Sequence, residues 1–243
     1  MKSFHIIIPA RYASTRFPGK PLALLKGKPM IQHVYEQCLK TSASSVIVAT
    51  DDLRIADAVK TFSGKVCMTN DNHATGTDRI AEVITQNHFA DNEIIVNVQS
   101  DESMIEPDAI EKVASLLMEK SESAMATCAT RLLDQTSKTN PNIVKIVLDQ
   151  NHHAIYFSRA LIPYVRFDEQ TAPCYKHIGL YAYRAGFIKE FVNFPQTPLE
   201  LTEGLEQLRA LENGKKIAVC VLEKHESLGV DTPEDLLEVE KRL

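Results

Sequence analysis

The chain has 243 residues, of which 44% are hydrophobic and 24% charged, which suits one large α/β domain or two small ones with a sizeable core. A net charge of −5 argues against general nucleic-acid or anionic-membrane binding, so any anionic ligand must be met by local positive charge. The five cysteines (Cys38, Cys67, Cys128, Cys174, Cys220) are odd in number and form no C-x-x-C pair. This disfavours a disulfide framework and a zinc site and fits a reducing cytoplasm. The N-terminal apolar run is too short for a signal peptide, and no stretch is long and apolar enough to span a membrane.

Ile6–Ile8 reads as a buried strand, with Pro9 expected to stop its ladder because it lacks an N–H. A loop follows to Lys28, punctuated by Pro18, Gly19 and Pro21. It carries Arg11, Arg16 and Lys20, and no acidic residue precedes Glu36. A basic loop after a buried strand is where open α/β sheets hold phosphorylated ligands. The small residues Ala10, Ala13, Ser14 and Gly19 let backbone N–H groups approach phosphate oxygens; the plainer alternative is a solvated basic loop. A helical rhythm occupies 29–41 and a second strand 45–50. Asp52 is placed to cap a helix whose inner face holds Ile55, Ala56 and Val59. A short strand (65–68), a polar segment (70–78), a helix (79–87) and a strand (93–98) come next. That alternation predicts βαβ units and a parallel sheet.

Beyond residue 106 the pattern predicts a helix at 107–120 and a strand at 124–130. A hairpin at 143–148 and 154–157 turns at Asp149-Gln150-Asn151. A strand at 178–184 and a helix at 200–213 ended by Gly214 follow. A strand at 217–222 and a helix opened by Pro233 close the chain. Residues 132–142 and 166–174 read as mobile loops. The organisation predicted is a single domain, 1–243, in two lobes, 1–106 and 107–243.

Several constellations carry chemistry. Asp101 follows the fourth long strand and should project at the same edge as Arg11 and Lys20. Asp231, after the last strand, reads locally as an N-cap, yet with Asp101 it would offer Mg²⁺ two hard oxygen ligands. Thr75 and Gly76 offer a hydroxyl and backbone groups to the edge of a base, and Arg79 adds charge; a helix capped by Thr75 or Thr77 explains the segment equally well. His177, Gly179 and Tyr181 share one face of a strand, with Arg159 on a neighbour, an arrangement suited to a carboxylated polyol. Glu206 and Gln207 would supply further hydrogen bonds, or else form a solvated helix face. Walker A and G-x-G-x-x-G motifs are both missing from the sequence, and no Ser-His or Cys-His nucleophile stands out.

The run Pro9-Ala-Arg-Tyr-Ala-Ser-Thr-Arg-Phe-Pro-Gly-Lys-Pro21 resembles the signature loop of the CMP-KDO synthetases, the 3-deoxy-manno-octulosonate cytidylyltransferases among sugar nucleotidyltransferases. Matching motifs run from residue 8 to residue 235. The resemblance implies an α/β, Rossmann-like fold: a mostly parallel mixed sheet flanked by helices. It implies that CTP activates a sugar acid, for lipopolysaccharide biosynthesis, with release of pyrophosphate. Pro9, Ala10, Arg11, Arg16, Lys20, Thr75, Gly76, Arg79 and Gln99 would then bind the nucleotide. Gln99, Ser100, Arg159, His177, Tyr181, Glu206 and Gln207 would bind the sugar. Asp101 and Asp231 would hold Mg²⁺ and, with Arg11 and Lys20, form the catalytic set. Partners implied are CTP, the sugar acid and a second copy of the chain; 1–106 would be the nucleotide half and 107–243 the sugar half, which would also supply the dimer contact. The family's Gln-Gly-Asp-Glu-Pro is here Gln99-Ser100-Asp101-Glu102-Ser103, which suggests a pocket altered toward the 8-amino-3,8-dideoxy analogue of KDO. A nucleotidyltransferase for another sugar acid, such as a sialic acid, and a non-catalytic nucleotide-binding module remain the alternatives.

Overall fold

Ile6, Ile7 and Ile8 are all fully buried, and alternation sends them to opposite sides of one strand. Ile6 and Ile8 join one apolar cluster and Ile7 the other. Each such side chain contributes about 2 kcal/mol relative to exposure, so this run anchors both faces of a sheet. The computed structural model describes residues 3–13, 17–167, 172–223, 229–230 and 232–243.

Along the chain run β1 (Phe4–Ala10), the short ladder β2 (Leu24–Leu25) and β3 (Lys28–Pro29), α1 (Met30–Cys38), β4 (Ser45–Thr50), α2 (Leu53–Thr61) and β5 (Lys65–Met68). Then come α3 (Gly76–Gln86), β6 (Ile94–Asn97), α4 (Pro107–Glu119), β7 (Met125–Arg131) and α5 (Gln135–Thr139). The hairpin β8 (Lys145–Leu148) and β9 (Ala154–Ser158) leads to β10 (Tyr175–Arg184). The chain ends with α6 (Ala185–Phe191), α7 (Pro198–Glu203), α8 (Leu208–Glu212), β11 (Ile217–Leu222) and α9 (Pro233–Arg242).

The main sheet has the order β11-β7-β10-β6-β1-β4-β5, with β8 joined to β10 and β9 to β8. Strands β6, β1, β4 and β5 are mutually parallel, as are β7 and β11, while β10 runs antiparallel to both β6 and β7. The sheet is thus mixed and mostly parallel, as the resemblance implied. Helices α1, α2 and α4 cover one face, and α3, α6 and α8 the other. Both apolar clusters draw on residues from each side of position 106. Among the described residues no helix is long and apolar enough to cross a membrane.

Four local expectations are corrected. Pro9 lies inside β1, paired with Ala49. Ile7 accepts from Val98 N–H on the β6 side, and Pro9, two residues on, faces the same side where β6 has already ended. Its missing N–H therefore costs no ladder bond. Helix α3 begins at Gly76 rather than Arg79, because Thr75 and Asp78 close a capping box. The predicted helix 200–213 is two, since Gly204 adopts φ +62° and ends the first. The segment 132–142, read as a loop, contains α5, capped by Asp134 on Ser137 N–H.

Candidate active site

Parallel strands β1, β4 and β6 end at Ala10, Thr50 and Asn97, which defines one carboxyl edge. The antiparallel β10 reaches the same edge from the other direction. Tyr181 pairs with Asn97, and the strand's earlier residues run past the end of β6, with His177 opposite Ala129 of β7. Topology therefore brings the start of β10 beside the turn that follows β6.

In the basic loop, Gly19 has φ +70° and donates its N–H to Tyr12 carbonyl at 2.8 Å. A Cβ there would lie 3.1 Å from the Tyr12 ring, so conformation and space both favour glycine. The residues after Gly19 form a short 3₁₀ turn, Lys20–Leu22, where the sequence suggested only loop. Its first residue sends Lys20 Nζ to Asp101 Oδ2 at 2.5 Å. Asp101 thus projects at the same edge as Lys20, as the sequence reading expected, and the two form an ion pair.

Arg11, directly after β1, donates to His73 carbonyl at 2.8 Å and so ties the basic loop to the polar segment 70–75. Gly76 sits over Pro9: a Cβ at Gly76 would be 3.5 Å from Pro9 Cγ. Thr75 Oγ1 accepts from Asp78 N–H at 3.2 Å, so the capping role is real, and Thr75 and Gly76 lie beside the end of β1 as well. Arg79 does not belong to this surface. It is fully buried, with Nη2 on Asp51 Oδ2 at 2.9 Å and Nη1 on the Thr69 hydroxyl. Starting α3 three residues early turns Arg79 inward, which corrects its assignment to the nucleotide.

Gln99 and Ser100 are half-buried in the turn after β6, and Gln99 Nε2 donates to Asn97 Oδ1 at 3.4 Å. Val230 N–H donates to Asp101 carbonyl at 3.2 Å, and a Cβ at Gly229 would meet Glu102 Oε1 at 3.4 Å. Residues 229–230 thus pack on the Asp101 turn. Arg16 and Asp231, both assigned from the sequence, lie outside the described residues.

The β10 end is of another kind. Two extra residues bulge between Ile178 and Tyr181, and Thr127 Oγ1 closes the bulge on the Ile178 and Leu180 carbonyls at 3.1 and 2.9 Å. An insertion of two preserves the alternation, so the His177 and Tyr181 rings still meet, 5.4 Å apart. Gly179 instead sits exposed at the bulge. His177 Nε2 bonds Thr127 Oγ1 at 2.9 Å, and Phe157 packs edge-on against its ring at 4.9 Å. Apolar surroundings lower the His177 pKa to about 3, so the ring is neutral near pH 7. Burial likewise pushes the Tyr181 hydroxyl well up, with Glu206 adding to the shift.

Glu206 and Gln207 lie in the connection between α7 and α8, not on a helix face. Thr77 Oγ1 donates to Glu206 Oε2 at 2.6 Å. Glu206 Oε1 and Gln207 Nε2 are buried without hydrogen-bond partners among the described residues. Each unsatisfied group costs about 1–3 kcal/mol unless a ligand completes it. Burial raises the Glu206 pKa, opposed by the hydrogen bond from Thr77. Arg159 directly follows β9, which pairs with β8 and not with β10, so it is one strand further from His177 than the sequence suggested; its Nε donates to Glu203 carbonyl at 2.8 Å and its Nη1 to Pro141 carbonyl at 3.2 Å. Glu203 Oε2 accepts from Arg159 N–H at 2.9 Å and Oε1 from Ser158 hydroxyl at 2.6 Å. Thr77, Thr127, Phe157 and Glu203 therefore support the site, and none was singled out for it from sequence. No local motif marks them, because each acts through a partner at least 20 residues away.

Comparison with known proteins agrees with this geometry. A family model described as cytidylyltransferase matches residues 5–217. A 3-deoxy-manno-octulosonate cytidylyltransferase of Pseudoalteromonas atlantica is 51% identical over 96% of this chain and 95% of its own length. One of Photobacterium profundum is 50% identical over 98% of both chains. A solved structure of CMP:2-keto-3-deoxy-manno-octonic acid synthetase complexed with CTP superposes with a TM-score of 0.92 at 40% identity, covering 99% of this chain and 98% of that one. With its sheet edge, basic loop and nearly full-length similarity all in accord, the chain belongs to the cytidylyltransferase family.

Proposed function

We propose that this chain is a 3-deoxy-manno-octulosonate cytidylyltransferase, converting CTP and the sugar acid to CMP-sugar and pyrophosphate for lipopolysaccharide biosynthesis. The observation that carries the reading is one edge with two chemistries. The Lys20–Asp101 pair and Arg11 stand on one side; the His177–Tyr181 rings and a Glu206 oxygen without a hydrogen-bond partner among the described residues stand on the other. The anomeric hydroxyl attacks the α-phosphorus in line, forming the new P–O bond as the bond to pyrophosphate breaks. Arg11 and Lys20 neutralise charge on the departing pyrophosphate, and the fixed pockets hold the two substrates in line. His177, with its pKa near 3, orients the sugar as a neutral hydrogen-bonding group and is a poor proton acceptor at pH 7. Arg159 supplies the charge facing the sugar carboxylate.

The test is pyrophosphate release from each nucleoside triphosphate against a panel of sugar acids. Turnover with CTP and an octulosonate alone is expected; equal turnover with a sialic acid, or none with any pair, overturns the assignment.

A divalent ion fits the donor set in one way. Among the described residues no three His, Cys, Asp or Glu side chains cluster to cage a metal. Asp101 offers one hard carboxylate oxygen, which suits a Mg²⁺ ion that brings its other oxygen ligands from phosphate. Asp101, with Asp231, would hold it, and when bound it supplies charge neutralisation on the triphosphate. Asp101→Asn should raise the Mg²⁺ concentration needed for half-maximal rate.

A dimer built through the second half is supported by the exposed Leu133, Tyr164 and Phe167. Leu133 and Tyr164 line a cavity of about 460 Å³. Such apolar surface suits burial against a second copy, and sedimentation of Leu133→Asp against the natural protein tests it. The unpaired cysteines accord with a cytoplasmic setting. Preference for the 8-amino analogue rests on the serines at 100 and 103. Ser103 is fully buried with Oγ unpartnered among the described residues, so the turn differs chemically from the family's Gly and Pro. Comparing kcat/KM for both sugars in Ser100→Gly and the natural protein decides whether Ser100 selects the amine.

A further inference from the structure

Thr75 fills the cap of α3, which leaves Thr77 with no capping duty. Thr77 is only 3% exposed, and its hydroxyl spans 129 residues of chain to reach Glu206 Oε2 at 2.6 Å. Glu206 thus lies against the first turn of α3, where the helix dipole favours negative charge. Thr75, the N-cap of that helix, keeps its own hydroxyl on Asp78 Oδ2 at 2.9 Å. One oxygen of Glu206 is held by the nucleotide half of the molecule. The other, Oε1, is buried without a hydrogen-bond partner among the described residues, with Arg209 Nη2 3.9 Å away.

We propose that Thr77 is a positioning residue that links the two substrate pockets: by aiming Glu206, it makes CTP and the sugar acid each strengthen the binding of the other. The proposal rests on the reading of Glu206 as a sugar contact. A base seated on Thr75 and Gly76 orders the first turn of α3, and that turn fixes the carboxylate that accepts a sugar hydroxyl. Coupling of this kind is reciprocal, so the same factor must appear in either direction.

The experiment measures the affinity of 3-deoxy-manno-octulosonate by calorimetry, with and without saturating CMP, which carries the base and cannot turn over. In the natural protein CMP is expected to tighten the sugar acid by about tenfold, and the sugar acid to tighten CMP equally. Thr77→Val keeps the shape and removes the donor; it should reduce both factors to near one while leaving the affinity for CMP alone within about twofold. Thr77→Ser, which retains the hydroxyl, should restore the coupling. Thr77→Ala serves as the donorless variant if Val does not fold. Coupling that survives in the donorless variant, or is lost equally in Thr77→Ser, overturns the link. Glu206→Gln separates the two ideas. If it leaves sugar affinity unchanged, the assignment of Glu206 fails and the proposal falls with it. If it weakens the sugar while Thr77→Val changes nothing, only the link is overturned.

Discussion

The two ends of the site solve opposite problems with opposite means. At the β1–β6 end, charges stand in partial contact with water, Lys20 and Asp101 being 13% and 26% exposed. At the β10 end His177, Tyr181 and Glu206 are half-buried as well, but their environment suppresses charge: His177 is held neutral and Glu206 is pushed up. A triphosphate is recognised by net charge, which tolerates solvent and small displacements. A polyol is recognised by hydrogen bonds, which discriminate only when the unfilled groups are buried and costly to leave unpaired.

The largest effect should come from the charged end. Lys20→Ala is expected to lower kcat/KM by about 10²–10³-fold with the melting temperature nearly unchanged, since the pair it breaks is part-exposed. Near-normal turnover would erase the contrast between the ends. Arg79→Met separates charge that binds from charge that folds. It strands Asp51 beside a buried position and should cost about 3 kcal/mol in denaturant unfolding. The folded fraction should keep its CTP affinity; a parallel loss would return Arg79 to the nucleotide.

Gly204→Ala sharpens the sugar end. The residue has φ +62° and nothing within 4 Å of an added Cβ, so strain alone operates, about 1 kcal/mol. Because Glu206 follows two residues later, KM for the sugar acid should rise while KM for CTP holds. The smallest effect is in pH dependence. His177 titrates at about 3 when folded, against an ordinary 6.5, so between those values the unfolded chain binds more protons. Stability contributed at this position is present above pH 6.5 and lost as pH falls toward 3. His177→Gln should therefore show a smaller drop in melting temperature between pH 7 and pH 5. An identical drop would mean that the ring is not desolvated.

Local sequence by itself determined most of the strands and helices, the Asp52 cap, and the placement of Arg11 and Lys20 directly behind β1. Those features depend on neighbours a few residues apart: β-branched runs, Pro and Gly punctuation, and a loop with Arg11 and Lys20 directly behind a strand. Asp101 was legible for the same reason, since it follows β6 immediately. The start of α3 was misplaced because Gly76, Thr77 and Asp78 resemble loop until the capping box with Thr75 is seen. The inward turn of Arg79 follows from that start and from Asp51, 28 residues earlier. Only the tertiary structure decided the sugar end. The bulge that keeps His177 beside Tyr181 is closed by Thr127, and the Glu206 carboxylate is aimed by Thr77, 129 residues away. Such groups become specific only when folding removes water from them. A sequence displays their donors and acceptors, whereas the fold alone decides which of them are left unpaired and buried.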